Sequence, residues 1–217
     1  MDRKKIKSEA WEFIKGKRWK IWWPLLIISL ITGVLENLVG PNYANTDIFN
    51  YNVTSMPTLT PTQTVLSLII TLIGAFAGVA YTKYILKLVR GEDPEFNDII
   101  ECIKERWITI LLVEFLGGLI IFGCTLLLVI PGIIMAFAYS MTSYLTVDTD
   151  LEAPDVLKKS RTMMKGYKFD FFVFGLSFIG WVLLVIVSFG IASIWFVPYF
   201  LVASALYYEN LKEVTKK

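Results

Sequence analysis

A run of forty residues, 108–147, carries one charged side chain, Glu114, and sets the strongest constraint on this chain. As one helix the run would measure about 60 Å, roughly twice the hydrocarbon thickness of a bilayer. It must therefore fold back on itself. Pro131 and Gly132 lie past its middle, and a proline followed by a glycine can end a helix and let the backbone reverse. We predict an apolar helical hairpin with its turn at residues 130–132.

The composition indicates an integral membrane protein. Of 217 residues, 55% are hydrophobic and only 18% are charged, whereas soluble domains have about 25% charged residues. The mean hydropathy is +0.59. The chain has no histidine, which excludes a Ser-His-Asp triad, a zinc site of the HExxH kind and a histidine proton relay. We expect no catalytic residues, no cofactor and no metal site.

Six apolar stretches are long enough, or nearly so, for the roughly 20 residues of a spanning helix. The predicted fold class is therefore all-α: a polytopic membrane protein in which residues 1–217 form a single membrane domain of three helical hairpins. A second tight turn is expected at Ser188-Phe189-Gly190. The six predicted spans cover residues 20–39, 62–85, 107–128, 132–147, 169–189 and 191–208.

The basic residues predict the orientation. All 21 Lys and Arg residues lie in the N-terminal segment, around residues 87–106 and 158–168, in the C-terminal tail or at an adjoining span end. The alternate connections hold none, and residues 40–61 carry one charge, Asp47. By the positive-inside rule both termini are cytoplasmic.

An internal repeat organises the chain. Three times an amphipathic segment leads through a basic joint and an aromatic residue into an apolar hairpin. We predict three like-oriented units, residues 8–86, 95–148 and 153–209, related by pseudo-threefold symmetry, with each amphipathic helix lying in the cytoplasmic interface. The three segments read "EAWEFIKGKRWKIWW", "FNDIIECIKERWITIL" and "DVLKKSRTMMKGYKFDFF".

Glu114 is the deepest charged side chain of the predicted spans. It stands seven residues past Trp107, about 10 Å into the membrane. An acidic residue at a helix centre costs about 2.5 to 3.5 kcal/mol, so we expect it to face other helices or water. Thr142 and Ser143 are predicted at a similar depth. The three residues form a candidate intramembrane polar site, which is either a proton or ligand site or a hydrogen-bonded contact between helices.

Four cations of the third amphipathic segment are candidate contacts for lipid headgroups. Lys158, Lys159, Arg161 and Lys165 lie opposite its apolar stripe. The basic excess is spread along a membrane surface, which suits the anionic lipids of the inner leaflet and makes nucleic acid an unsuitable partner.

Several segments resemble a bacterial membrane-protein family known as domain of unknown function 975. The resemblance is carried by "VIPGIIMAFAYSMTSYL", "LKKSRTMMKGYKFDFF", "LSFIGW" and "VPYFLVASALYYENL". It implies six helices in a bacterial plasma membrane. More distant relatives look like the membrane domain beside glycerophosphodiester phosphodiesterases, a non-catalytic part. No activity is assigned to the family, so the resemblance transfers no functional residue.

Three classes of function are compatible with these features. The first is a non-catalytic binding or accessory module for a partner protein, a lipid or a hydrophobic peptide. The second is a small transporter or channel-like protein with a site near Glu114. The third, an enzyme acting on lipid, is disfavoured by the missing histidine and the lack of clustered acids. We favour the module, because ion-coupled transport usually needs several intramembrane polar groups or discontinuous helices.

Overall fold

The computed structural model describes residues 2–39 and 60–215, and within these ranges every element of regular secondary structure is an α-helix. The predicted outer connection at residues 40–61 lies almost wholly outside the described residues. The helices are α1 (Arg3–Val39), α2 (Pro61–Val89), α3 (Phe96–Leu127), α4 (Val129–Ala138), α5 (Thr142–Asp148), α6 (Ala153–Met163), α7 (Lys168–Leu176), α8 (Ile179–Val187) and α9 (Ser193–Thr215).

In the described part of the chain, five helical stretches are long and apolar enough to cross a bilayer. They confirm the prediction of a helical protein with the character of a membrane protein. The sixth predicted span, residues 191–208, falls mostly in α9. Helix α9 is not one of these five stretches, so the sixth span stays a prediction. Half of the residues of α9 from Pro198 onward are buried in the protein, so fewer of its side chains are left to face lipid. The five stretches are Arg3–Val39, Pro61–Val89, Phe96–Leu127, Val129–Asp148 and Lys168–Val187.

The tightly packed part of the molecule lies at one end of the helices. Eight of the nine buried residues of α2 fall between Val79 and Leu88. The other end exposes large apolar side chains, including all five residues from 126 to 130 around the α3–α4 turn. Such an exposed apolar surface suits contact with lipid.

The α3–α4 turn differs in detail from its prediction. The reversal takes place at Leu128, whose backbone is extended (φ −159°, ψ 137°), and α4 begins at once with Val129. Pro131 therefore lies in the first turn of α4, where its missing N–H leaves no helical hydrogen bond unmade. Gly132 lets the two helices approach closely, because a Cβ there would lie 2.1 Å from Thr125 Oγ1.

The second predicted turn, at residues 188–190, is present. Phe189 (φ 51°) and Gly190 (φ 89°) have left-handed backbones. The Gly190 N–H donates to the Val185 carbonyl at 2.8 Å, a bond that closes helix ends of the Schellman type. The Phe189 side chain is almost fully exposed at this tip.

The three predicted joints share one backbone conformation. Lys17 interrupts α1 (φ −125°, ψ 23°) and Arg106 interrupts α3 (φ −121°, ψ 15°). Tyr167, which precedes α7, has φ −108° and ψ −2°. Each joint separates an apolar helix from the helical segment before it. We call these preceding helices the leading helices: residues 3–16 of α1, residues 96–105 of α3, and α6.

Each leading helix packs against helices of another part of the chain. The first lies on α7–α9, where Trp11 contacts Trp181 (ring centroids 5.9 Å apart). The second lies on α1 and α2, where Asp98 binds Lys87 at 2.7 Å. The third lies on α3 and α4. There the Gly117 backbone is so close that an added Cβ would contact Leu157 Cδ2 at 3.4 Å.

The predicted position of the amphipathic helices in the cytoplasmic interface stays a prediction. Their apolar side chains are buried inside the protein, as Ile6, Ala10, Ile99, Val156 and Leu157 show. The physical reason is that neighbouring helices supply an apolar surface for these faces. The polar faces of the leading helices remain exposed, together with Ile100, which is 40% exposed.

Where a helix loses one of its internal hydrogen bonds, a side chain from another helix donates to the backbone carbonyl that is left without its partner. Pro24 has no N–H for the Lys20 carbonyl, and the Tyr84 hydroxyl donates to that oxygen at 2.9 Å. Ser160 Oγ donates to the Ala138 carbonyl at 3.0 Å, at the α4–α5 break. These bonds matter because water is scarce inside a membrane protein.

Candidate functional site

A basic concavity of about 430 Å³ lies at the end of α6. Its position follows from the local sequence. Gly166 has a left-handed backbone (φ 90°) and turns the chain between α6 and α7, so that cations on both sides of the glycine line one hollow. We define the basic concavity by its lining residues Lys158, Arg161, Thr162, Lys165 and Lys168.

The basic concavity carries uncompensated positive charge. Its four cations take part in no ion pair found among residues 2–39 and 60–215. No carboxylate lines it, and Lys158, Arg161 and Lys165 are exposed. Four ammonium and guanidinium groups around one hollow attract an anion such as a phosphate.

The structure thus separates the four predicted headgroup contacts. Lys158, Arg161 and Lys165 meet in the basic concavity, whereas Lys159 lines a different pocket between α5, α6 and α9. Consecutive residues of a helix point about 100° apart, so the two neighbouring lysines face different surroundings. Lys168, which was not among the predicted contacts, completes the basic concavity.

An ionic network, not predicted from the sequence, joins the ends of α2, α5 and α9 around the buried carboxylate of Asp148. The Asp148 carboxylate binds Arg90 Nη2 at 2.5 Å and Lys212 Nζ at 2.5 Å. It also accepts a hydrogen bond from the Tyr208 hydroxyl at 2.8 Å. Arg90 Nη2 binds Glu209 as well, at 2.6 Å. We call these five residues the Asp148 network.

The charges of the Asp148 network balance one another. The Asp148 side chain is 5% exposed, and a carboxylate so deeply buried needs its cations. Burial lowers the pKa of the Arg90 guanidinium, but its bonds to Asp148 and Glu209 outweigh that effect and raise the pKa above its usual value. Two carboxylates and two cations leave no net charge, so the main role of the network is to fix three helix ends.

The predicted intramembrane polar site is not joined by hydrogen bonds. Glu114 lies on the exposed side of α3. Thr142 is partly buried, and its hydroxyl donates to the Tyr139 carbonyl at 2.7 Å, while Ser143 is also partly buried. No hydrogen bond in the structure joins Glu114, Thr142 and Ser143 to one another. A functional site at Glu114 stays a prediction.

Among residues 2–39 and 60–215, no group of three or more Cys, Asp or Glu side chains is placed to hold a metal ion. Cys102 is buried, Cys124 is partly buried, and both are free thiols.

Comparison with known proteins identifies a family over the C-terminal part of the chain. Residues 119–215 match a family model described as a protein of unknown function (DUF975). This match confirms the resemblance drawn from the sequence, and it includes the whole basic concavity. No curated protein and no solved structure matched the chain.

Proposed function

We propose that this chain, whose residues 119–215 belong to the DUF975 family, is a non-catalytic membrane module that binds anionic lipid headgroups at its cytoplasmic face. The observation that carries the proposal is the basic concavity, which gathers four cations without a carboxylate among its lining residues. A protein partner or a hydrophobic cargo in the apolar surface is compatible with this role.

Charge provides the attachment. Because most of the apolar faces of the leading helices are buried against the protein, these faces have little apolar area left to insert into lipid. Basic residues near an anionic leaflet contribute about 1 kcal/mol each. The concave arrangement also makes phosphate binding more specific, since several cations can bind one phosphate at once.

The proposed setting is a bacterial plasma membrane with both termini in the cytoplasm. We propose six spanning helices in three like-oriented units. The matching backbone at Lys17, Arg106 and Tyr167 supports the repeat. The packing of each leading helix on the hairpin of another unit supports it too. Under this topology the basic concavity faces the inner leaflet, where anionic lipids are attracted to basic residues.

Headgroup binding is tested with a triple variant. Replacing Lys158, Arg161 and Lys165 together by Gln should weaken retention of phosphatidylglycerol by up to about 3 kcal/mol, because about 1 kcal/mol is lost per charge. Native mass spectrometry of the protein released from bilayers of mixed phosphatidylglycerol and phosphatidylcholine measures this retention.

The matched control replaces Lys4, Lys5 and Lys104, three exposed cations outside the basic concavity, by Gln. It changes the net charge equally and should keep most of the bound phosphatidylglycerol. Equal losses in both triple variants would mean that the surface charge as a whole attracts lipid, and the proposed site would be wrong.

Topology is tested by labelling single cysteines in a chain lacking Cys102 and Cys124. Asn45, which lies outside the described residues, should react with an impermeant thiol reagent in intact cells when replaced by Cys. Lys159→Cys should react only after lysis, because the basic segments face the cytoplasm. Labelling of Lys159→Cys in intact cells would reverse the proposed orientation.

A further inference from the structure

A second hollow, beside the basic concavity, has a different chemical character. It measures about 400 Å³, lies between α5, α6 and α9, and shares only Thr162 with the basic concavity. We call it the Tyr208 pocket. We propose that the Tyr208 pocket binds a small molecule that joins one anionic group, a phosphate or a carboxylate, to an apolar body. This inference goes beyond headgroup binding at the basic concavity and does not depend on it.

The inner surface of the Tyr208 pocket is apolar. Leu145, Met163 and Tyr208 line it, and all three are buried side chains. The Tyr208 hydroxyl donates its hydrogen bond to Asp148. The part of Tyr208 that can contact a ligand in the pocket is therefore its apolar ring. The volume falls within the range of about 300 to 1,000 Å³ that is usual for small-molecule sites. This surface therefore favours ligands that have an apolar body.

The polar groups of the Tyr208 pocket select an anion. Lys159 and Lys212 are its charged lining residues, and no carboxylate lines it. Lys212 is bonded to Asp148, but an ammonium group carries three protons and can donate to a ligand as well. Lys159 forms no ion pair with any residue in the described ranges, and its charge is therefore uncompensated.

Ligand binding would also affect the ion pairs at the end of α2 through the Asp148 network. An anion bonded to Lys212 competes with Asp148 for the same ammonium group. Asp148 is held at the same time by Arg90, which follows α2 directly. The Tyr208 pocket is thus linked by two ion pairs to the end of a helix that is long and apolar enough to span the membrane.

The test uses phenyl phosphate as the probe, with the full chain held in a nanodisc of phosphatidylcholine. Calorimetric titration should show a saturable site for the probe, and this site should persist when Lys158, Arg161 and Lys165 of the basic concavity are replaced together by Gln. Phenol and inorganic phosphate, each lacking one half of the recognised chemistry, should bind at least about tenfold more weakly.

A lysine outside both hollows provides the matched control. Lys159→Gln should weaken phenyl phosphate binding by about tenfold, whereas Lys104→Gln, which removes an exposed charge lining neither hollow, should leave it unchanged. Thr215→Trp fills the pocket from the exposed end of α9 and should abolish binding while the chain stays folded. The proposal is overturned if the unaltered chain shows no saturable binding, or if the two lysine variants lose binding equally.

A lipid headgroup and a soluble compound can both supply the required chemistry. Repeating the titration with phosphatidylglycerol in the nanodisc separates them. If phosphatidylglycerol weakens phenyl phosphate binding to the unaltered chain, and this competition disappears in Lys159→Gln, a lipid is supported as the source. If phosphatidylglycerol leaves phenyl phosphate binding to the unaltered chain unchanged, a soluble compound is supported. Competition that is equally strong in Lys159→Gln would contradict binding of the headgroup in this pocket.

Discussion

Replacing Asp148 with Asn should destabilise the folded chain by about 2 to 4 kcal/mol, because it removes the carboxylate that neutralises two cations. Arg90 and Lys212 would keep their positive charges beside a neutral amide that can satisfy them only in part. Their side chains are 33% and 29% exposed, so water recovers some of the loss, and the expected cost stays below the full value for a buried pair. Thermal unfolding in a mild detergent, followed by the loss of monodisperse protein, measures the change.

Asp93→Asn is the matched control for this change. Asp93 is a surface carboxylate that pairs with Lys20 at 2.6 Å, and its side chain is 79% exposed. The bond to Lys20 holds the pKa of the Asp93 carboxyl below its usual value, yet exposed pairs contribute little to stability. We expect no resolvable change in thermal unfolding. If Asp148→Asn is as mild as Asp93→Asn, the Asp148 network does not hold the three helix ends together.

Replacing Gly132 with Ala should cost about 1 to 3 kcal/mol or more, because the new methyl group has no space. It would lie 2.1 Å from Thr125 Oγ1 and 2.9 Å from Thr125 Cα. A side chain can rotate away, but the backbone of α3 can avoid the methyl group only if α4 moves. The same thermal measurement should therefore show a clear loss of stability.

Gly118→Ala tests the same change where there is room. A Cβ at Gly118 would meet nothing within 4 Å, and alanine favours a helix by about 1 kcal/mol over glycine. This control should be neutral or slightly stabilising. A stable Gly132→Ala variant would show that α3 and α4 are farther apart than the structure places them.

The features that the sequence predicted best are local ones. The α8–α9 turn was predicted because Ser188-Phe189-Gly190 is a recognisable turn signal. The interruptions at Lys17 and Arg106 fall within the predicted joints, where a basic segment meets an aromatic residue. Both kinds of feature depend on residues that are neighbours in the chain.

The features that could not be predicted depend on residues far apart in the chain. The α4–α5 break at residues 139–141 contains no proline or glycine, and Ser160 satisfies one of its carbonyls from another helix. The Asp148 network joins residues separated by 58 and 64 positions. A helical wheel likewise places Lys158 and Lys159 on a polar face without showing which pocket each one lines.

The packing of the first leading helix on α7–α9 has a consequence for how the protein is made in the cell. A ribosome delivers Ile6, Ala10 and Ile14 long before it synthesises α7–α9, the helices on which this segment packs. Lys7 donates to the Ser177 carbonyl at 2.9 Å, across a separation of 170 residues, so this contact can form only after α7 has been made. Until then the nascent protein carries an uncovered apolar face, and chains truncated before α7 should be preferred substrates of membrane quality-control proteases.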